Sequence, residues 1–401
     1  MKYVVLIGDG MGDYPLEELG GKTPLQAAST PAMDFLAREG ELGLVKTVPP
    51  GFEPGSDVAN LSILGYDPAS CYTGRGPLEA GSMGITLSPD DVAFRCNLVT
   101  LDFMADGRVV MVDYSAGHIS TEEARAIVAD IGRKVKVNGL TLYPGVSYRH
   151  LLVWAEGKEK LATVPPHDHT GRDVSAHWGV YQHDPDLINW IAQALDILRE
   201  HPVNKRRVQE GKGPANAVWL WGQGRAPHMP KFAERFGIKG AIISAVDLLK
   251  GIGVYAGLEP IAVPGATGYL DTNYQGKADY ALTALKEKDL VVVHVEAPDE
   301  ASHGGNLEEK IKAIENFDQK VVQVVVDGLA GFGGEHRILL VTDHYTPISI
   351  KTHVGEPVPF VIFSSNRRGR TREAGFNEVS ARETGLFIKD GFKLMERFIR
   401  I

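Results

Sequence analysis

The sequence predicts an α/β protein with a mostly parallel sheet and a smaller α+β domain inserted into it. Three observations carry that expectation. Short apolar runs, among them Tyr3–Ile7, Ala241–Ser244, Val291–Val295 and Arg337–Val341, alternate with stretches of helical periodicity. Three of those runs end in carboxylate or imidazole residues, as expected where parallel strands present their carboxyl ends to a ligand. The texture changes after about residue 86 and returns near 200, so a main domain of 1–86 and 200–401 would enclose an inserted domain of 87–199.

Bulk properties narrow the class. The chain has 401 residues, 43% hydrophobic and 23% charged, which is ordinary globular composition. A net charge of −9 with no long basic run argues against nucleic acid as a partner. Two cysteines, Cys71 and Cys96, are too few for a disulfide scaffold or a thiolate zinc site. There is no apolar run of membrane-spanning length, and the opening MKYVVLIGDG reads as a first core strand rather than a signal segment. A cytoplasmic protein without membrane contact is expected; whether it forms a homo-oligomer stays open.

In chain order, Tyr3–Ile7 is a strand followed by GDGMGD. This fails as a dinucleotide fingerprint because Asp13 stands at the third glycine position. What remains is Asp9, directly after a buried strand and flanked by glycines. Thr30-Pro31 opens a helix with Thr30 as N-cap, and Leu42–Val48 is a strand. Ser56 precedes Val58, Leu61 and Leu64 at helical spacing, so it reads as a helix N-cap. Its functional reading is a nucleophile held at a helix N-terminus. In the insertion, Phe94–Leu101 and Val109–Val112 form a hairpin about Asp106-Gly107, Thr121–Val135 is helical, and Tyr148–Trp154 is a strand in a βαβ-like arrangement. Asp186–Glu200 is a long helix. The polar loop PPHDHTGRD carries His167, Asp168, His169 and Arg172. Val218–Trp221 is a strand assigned to the main domain, followed by Arg225 and Lys239. Helices at Asp247–Gly257 and Asp279–Glu287 lead to Val291–Val295. Leu307–Leu329 reads as one long amphipathic helix, and Pro359–Phe363 as a last strand.

The chemistry-bearing residues gather at strand ends. Asp299 and His303 are four apart and share a face if a helical turn begins at Pro298. Alone, such a pair reads as an N-capping Asp and a surface His. Asp9 and the pair Asp343-His344 occupy matching places after two other strands, His353 follows ten residues on, and Ser56 opens a helix at the same edge. Carboxylate and imidazole donors in that number suit two divalent ions with open positions. A serine beside them, activated by a metal, suits a phosphoryl group. His294 lies inside its strand run and reads as a core or supporting histidine. It and Glu300 are left outside the ligand set.

The motifs GDGMGD, GSDVANLSILGY, VEAPDEASHGG, VTDHYTP and KTHVGEPVPF resemble the cofactor-independent phosphoglycerate mutases of the alkaline phosphatase superfamily, in their archaeal type. The resemblance runs over essentially the whole chain. It implies an alkaline-phosphatase-like sheet with helices on both faces and an inserted phosphotransferase domain. It implies one ion held by Asp299, His303 and His353, and a second by Asp9, Asp343, His344 and Ser56. Mn²⁺ is the first candidate, with Mg²⁺, Co²⁺ and Zn²⁺ also compatible with such donors. The implied reaction converts 3-phosphoglycerate to 2-phosphoglycerate through phosphoserine at Ser56, without 2,3-bisphosphoglycerate. The small phosphorylated substrate would be held by residues among His118, Arg149, Asp168, Arg172, Arg225 and Lys239. Alternatives on the same site are a homoserine kinase, against which the lack of a Gly-rich phosphate loop counts, and a phosphatase or phosphopentomutase. A metal-dependent binding protein is harder to reconcile with Ser56 at the metal edge.

Overall fold

Leu290–Val295 is buried at every position, which requires a sheet covered on both faces. The computed structural model describes residues 1–366 and 375–400. In chain order its strands are β1 (Lys2–Gly8), β2 (Glu41–Val45), β3 (Val92–Phe103), β4 (Val109–Asp113), β5 (Leu140–Val146), β6 (Arg149–Trp154), β7 (Ala217–Gly224), β8 (Gly240–Ile243), β9 (Glu259–Pro260), β10 (Leu290–Val295), β11 (His336–Thr342), β12 (Val358–Ser364) and β13 (Phe387–Ile388). The chain divides into two units, Met1–Tyr72 with His228–Ile401, and Thr73–Pro227.

The first unit holds an eight-stranded sheet in the order β13-β2-β12-β11-β1-β10-β8-β9. Only β12 runs against the others, pairing antiparallel with β11 and β2. The mostly parallel sheet expected from the alternation of strands and helices is therefore present. On one face Val4, Leu6, Val291, Val293, Ile338 and Leu340 pack with helix residues such as Met33, Leu36, Ala278 and Phe317. The alternate residues Val5, Ile7, Val292, Leu339 and Val341 are also fully buried, so the second face is covered too. Each such side chain contributes about 1.5–3 kcal/mol on burial. A polar residue within these runs must find a partner inside the protein. Register aligns the strand ends: Gly8 stands opposite Val295 on one side and Thr342 on the other. Whatever follows these three residues emerges at one edge.

Two expectations about helices are corrected. Thr30 is the N-cap of helix Pro31–Glu39 but makes no side-chain cap bond; the Asp318 carboxylate accepts from the amides of Met33 at 2.7 Å and Ala32 at 3.3 Å instead. To bring Asp318 inward, the helix expected over Leu307–Leu329 is split. It runs as Leu307–Phe317, a wider π-helical turn over Asp318–Val322, and Gln323–Ala330.

The second unit is a five-stranded sheet in which every pairing is antiparallel, so the βαβ-like reading fails. Strand β3 is its centre, paired with β4, β6 and β7. Helices Thr121–Lys134, opened by a Ser120–Glu123 capping box, and Pro185–Glu200 cover it. Their core includes Phe94, Leu98, Ile127, Trp190 and Trp219. The unit is wider than the expected 87–199. Helix Arg75–Ser82 lies within it, and β7 pairs with β3 (Cys96 opposite Leu220) rather than joining the first sheet. An apolar strand carries no mark of which sheet it will join, and Val218–Trp221 suits either. Both cysteines are buried and unpaired. Among the described residues no helix is long and apolar enough to cross a membrane.

Candidate metal centre

The aligned strand ends explain the site. Asp9 directly follows β1. After β10, helix Ala297–Gly304 begins with Pro298 in its first turn and Glu296 as N-cap, with no side-chain cap. Asp299 is therefore not a cap, and one helical turn places His303 Nε2 3.2 Å from Asp299 Oδ2. Asp343 and His344 follow β11, and His353 lies in the loop before β12. His353 Nε2 is 2.9 Å from His303 Nε2 and 3.5 Å from Asp299 Oδ1. His344 Nε2 is 3.4 Å from Asp9 Oδ1 and 3.5 Å from Asp343 Oδ2. Ser56 is the first residue of helix Ser56–Ile63, whose N-cap is Gly55, so its expected capping role is corrected. Its hydroxyl lies 3.2 Å from His344 Nε2.

Hydrogen bonding sets which imidazole nitrogen is available. His303 Nδ1 is 2.9 Å from the carbonyl of Lys351. A carbonyl only accepts, so Nδ1 carries a proton, and Nε2 is the nitrogen turned toward Asp299 and His353. Lys351 holds that carbonyl in place at φ 59°, a left-handed conformation uncommon for a non-glycine residue. Thr346 donates its hydroxyl proton to Asp299 Oδ1, so its oxygen accepts from His344 Nδ1 at 3.2 Å. That bond places the proton of His344 on Nδ1 and leaves its Nε2 without one. Asp343 accepts from the amides of Gly10 at 3.1 Å and His344 at 2.9 Å, and from Asn60 Nδ2 at 2.9 Å. Gly10 has φ 61°, and a Cβ there would collide with Asp299 Oδ1. The glycines of GDGMGD thus admit a carboxylate beside β1.

The donor set fits divalent cations. Burial and the carboxylates of Asp343, Asp299 and Glu296 push the Asp9 carboxyl well above its ordinary range. Burial acts the same way on Asp299, but hydrogen bonds from His303 and His353 outweigh it and hold that carboxyl well below the ordinary range. His303 is raised to about 9 by the hydrogen bond with Asp299. Asp9 Oδ1 is buried with no hydrogen-bond partner, a state that a cation would relieve. Two groups bring potential ligand atoms within 4.8 Å of one another: Asp299–His344–His353 and Asp9–His294–Asp343.

In the second unit, a cluster of cations and rings forms by itself. The Arg95 guanidinium lies 4.3 Å and that of Arg75 6.0 Å from the Trp221 ring centre, and Arg95 also pairs with Glu79 at 2.9 Å. His167 packs against Trp221 and Tyr114, with Asp168 3.6 Å from its Nε2. His118 packs against Tyr114 and Tyr148, and the Arg149 guanidinium sits 5.9 Å from the Tyr148 ring. Ala116, His118 and Ser147 all have left-handed φ, at 50°, 49° and 53°, a conformation that costs energy in non-glycine residues. Arg172 is exposed, within electrostatic reach of His169. Two expected residues do not join. Arg225 is taken up by Asp90 at 3.1 Å, Glu159 at 3.7 Å and the Gly157 carbonyl at 3.2 Å. Lys239 precedes β8, where Gly240 pairs with Leu290. Parallel register therefore puts it at the opposite edge of the first sheet from the ligands, about six strand residues or ~20 Å away.

A family model described as 2,3-bisphosphoglycerate-independent phosphoglycerate mutase matches residues 37–204. A Geobacter sulfurreducens protein named probable 2,3-bisphosphoglycerate-independent phosphoglycerate mutase is 55% identical over 399 residues, covering 100% of each chain. The chain belongs to the 2,3-bisphosphoglycerate-independent phosphoglycerate mutase family. A member from Methanosarcina barkeri is 53% identical and covers 96% of each chain. Among solved structures, the PH0037 protein from Pyrococcus horikoshii superposes with a TM-score of 0.82 at 32% identity, covering 99% of this chain and 96% of that one. The cofactor-independent phosphoglycerate mutase from Thermoplasma acidophilum superposes with a TM-score of 0.68 at 28% identity, covering 100% and 99%.

Sequence reading gave no ligand or substrate role to several residues that the structure brings in. Asn60 and Thr346 orient ligands through hydrogen bonds. Arg75, Arg95, His167 and Trp221 build the second cluster. Trp221 stood on a strand assigned to the other domain. His294 had one visible signal, a polar side chain within an otherwise apolar buried run, and its partner is Asp9.

Proposed function

We propose that the chain interconverts 3-phosphoglycerate and 2-phosphoglycerate through a phosphoryl group carried by Ser56, with no need for 2,3-bisphosphoglycerate. The observation that carries this reading is the Ser56 hydroxyl 3.2 Å from His344 Nε2, at an edge where Asp9, Asp299, His303, Asp343 and His353 converge. We assign Asp299, His303 and His353 to one divalent ion, and Asp9, Asp343, His344 and Ser56 to the other. Mn²⁺ is the first candidate for both. A divalent ion bound there would lower the pKa of the serine hydroxyl and offset charge on a phosphoryl group.

The chain's own residues do the rest. Ser56 Oγ attacks phosphorus, the bond from phosphorus to the O3 oxygen of the substrate breaks, and the net transfer of the serine hydroxyl proton to O3 leaves glycerate. The return step reverses this balance at the 2-hydroxyl. The phosphoryl group on Ser56 then sits at the N-terminus of helix Ser56–Ile63, where the helix dipole favours negative charge. Glycerate takes it back on its 2-hydroxyl. Asn60 holds both the Ser56 carbonyl at 2.8 Å and Asp343 at 2.9 Å, fixing the nucleophile's backbone to the ligand edge. In the second unit, Arg75, Arg95 and Arg149 with His118 offer positive charge on aromatic walls, suited to the carboxylate and hydroxyls of glycerate. We assign Asp168 and Arg172 to the rim of that cluster.

A coupled assay with 3-phosphoglycerate and Mn²⁺, without ATP or 2,3-bisphosphoglycerate, tests this. We expect 2-phosphoglycerate to form, and Ser56→Ala to lower kcat on the order of 10⁴-fold or more, with melting unchanged because the hydroxyl caps no helix. Activity that appears only with ATP and homoserine would overturn the reading.

A further inference from the structure

His294 is the one polar side chain in β10 and is fully buried. An imidazole in that position, 0% exposed, must have both nitrogens matched. Its Nδ1 lies 3.2 Å from Ser244 Oγ at the end of β8, and its Nε2 lies 2.9 Å from Asp9 Oδ2. Ser244 Oγ already accepts from the Val246 amide at 3.0 Å, which leaves its own proton for Nδ1. An Asp9 that takes a cation on Oδ1 is ionised, so its Oδ2 accepts and requires a proton on Nε2. Both ends of the ring therefore select the same tautomer, neutral with the proton on Nε2. The backbone of the same residue is pinned from below, since buried Lys277 Nζ donates to the His294 carbonyl at 3.0 Å.

The consequence falls on Asp9. One carboxylate oxygen, Oδ2, is occupied by His294. The other, Oδ1, is buried without a hydrogen-bond partner and stands 3.4 Å from His344 Nε2. We propose that His294 is a positioning residue that clamps Asp9 Oδ2, so that Asp9 presents Oδ1 alone, in one orientation, to a divalent ion. Ser244 is the second link of the clamp. His294 is near enough to Asp9 and Asp343 to be counted with them as a ligand. Its protonated Nε2 has no lone pair to give, so its part is indirect. Outer partners of this kind are worth about 10–100-fold in metal affinity.

The inference rests on the metal reading of the site, and the test separates the two. Glutamine at 294 places its amide nitrogen near the position of Nε2, whereas asparagine reaches only the position of Nδ1. Both are polar, so burial cost is comparable. Mn²⁺ titration of wild type, His294→Gln and His294→Asn, followed by the electron paramagnetic resonance signal of free Mn²⁺, gives the affinity of each ion. We expect wild type and His294→Gln to agree within a few-fold. We expect His294→Asn to lose about 10–100-fold at one ion and to keep the other unchanged. Equal binding by the two variants, or equal loss at both ions, would overturn the positioning role while leaving the metal site in place. A wild-type protein that takes up no Mn²⁺ would overturn the metal reading and the inference with it. Should the 294 variants fail to fold, Ser244→Ala, a smaller change, carries the same test. It should weaken one ion several-fold, and unchanged binding at both would overturn the clamp.

Discussion

At the candidate metal edge of the first unit, side chains are fixed by hydrogen bonds that turn one chosen atom toward the others. His303 and His344 each spend Nδ1, on the Lys351 carbonyl and the Thr346 hydroxyl, and turn Nε2 inward. In the second unit the cationic groups lie near aromatic rings, Arg95 by Trp221 and Arg149 by Tyr148, and Arg95 is also paired with Glu79. Hydrogen bonding at fixed distance gives the precision that a small ion demands. A guanidinium beside a ring presents a planar fork of N–H donors that suits an oxyanion. The contrast matches the two tasks in our proposal: one region holds chemistry still, the other receives a carboxylate and two hydroxyls in more than one arrangement.

Substitutions on each side should break in different ways. The largest effect is expected for His344→Ala, which removes a bare nitrogen shared by Ser56, Asp9 and Asp343. It should cost more than the about 10–100-fold typical of outer partners, in both Mn²⁺ affinity and kcat. Loss of kcat with Mn²⁺ binding intact would show that His344 serves Ser56 alone. Arg149→Ala should act on the other region. Losing one charged hydrogen bond, worth about 1.5–3 kcal/mol, should raise KM about ten- to hundredfold with Mn²⁺ affinity unchanged. A change in metal affinity there would erase the distinction between the two regions.

A third test uses stability. His150 is buried in the second unit, accepts from the Gly145 amide at 3.0 Å through Nδ1, and is lowered by burial from 6.5 to about 4. Its folded value lies below its unfolded one, so protonation favours unfolding. The stability of neutral His150 is complete above pH 6.5 and is lost as pH falls toward about 4, by up to about 3 kcal/mol. All five tryptophans lie in this unit, so tryptophan fluorescence melts report it selectively. His150→Asn, which keeps an acceptor for Gly145, should flatten that pH dependence; an unchanged slope between pH 6.5 and 4 would assign it elsewhere. The smallest effect is expected for Lys239→Ala. At the far edge of the sheet, it should leave kcat and KM within about twofold, and a tenfold rise in KM would contradict the register argument.

How much was legible follows from the same contrast. The first unit's ligands sit on contiguous motifs after apolar runs, and Gly8 aligned with Val295 and Thr342 brings them together. Strand periodicity and the rule that ligands gather at carboxyl ends were enough to nominate Asp9, Asp299, His303, Asp343 and His344, which the structure brings together at one edge. Ser56 was found for a partly wrong reason, as a cap that Gly55 provides instead. The second cluster draws Arg75 from a helix start, Arg95 from the middle of β3, Arg149 from β6, His167 from a loop and Trp221 from β7. No local pattern joins five such elements, and antiparallel pairing between β3 and β7 is a long-range event that propensity does not encode. Arg225 and Lys239 were chosen as cations without a place. The structure gives one to carboxylates of its own unit and the other to the wrong sheet edge. The π-helical turn at Asp318 was equally hidden, since the amides that its carboxylate meets, of Ala32 and Met33, lie far away in the sequence.

The central claim is that phosphate passes through Ser56. Mixing the Mn²⁺-loaded protein with labelled 3-phosphoglycerate, quenching in acid within one turnover and mapping the peptides locates the carried phosphate directly. The account predicts label on the peptide containing Ser56, formed and lost fast enough to account for 2-phosphoglycerate production. Product formed at full rate with no label on Ser56, or with label on a histidine, would contradict it.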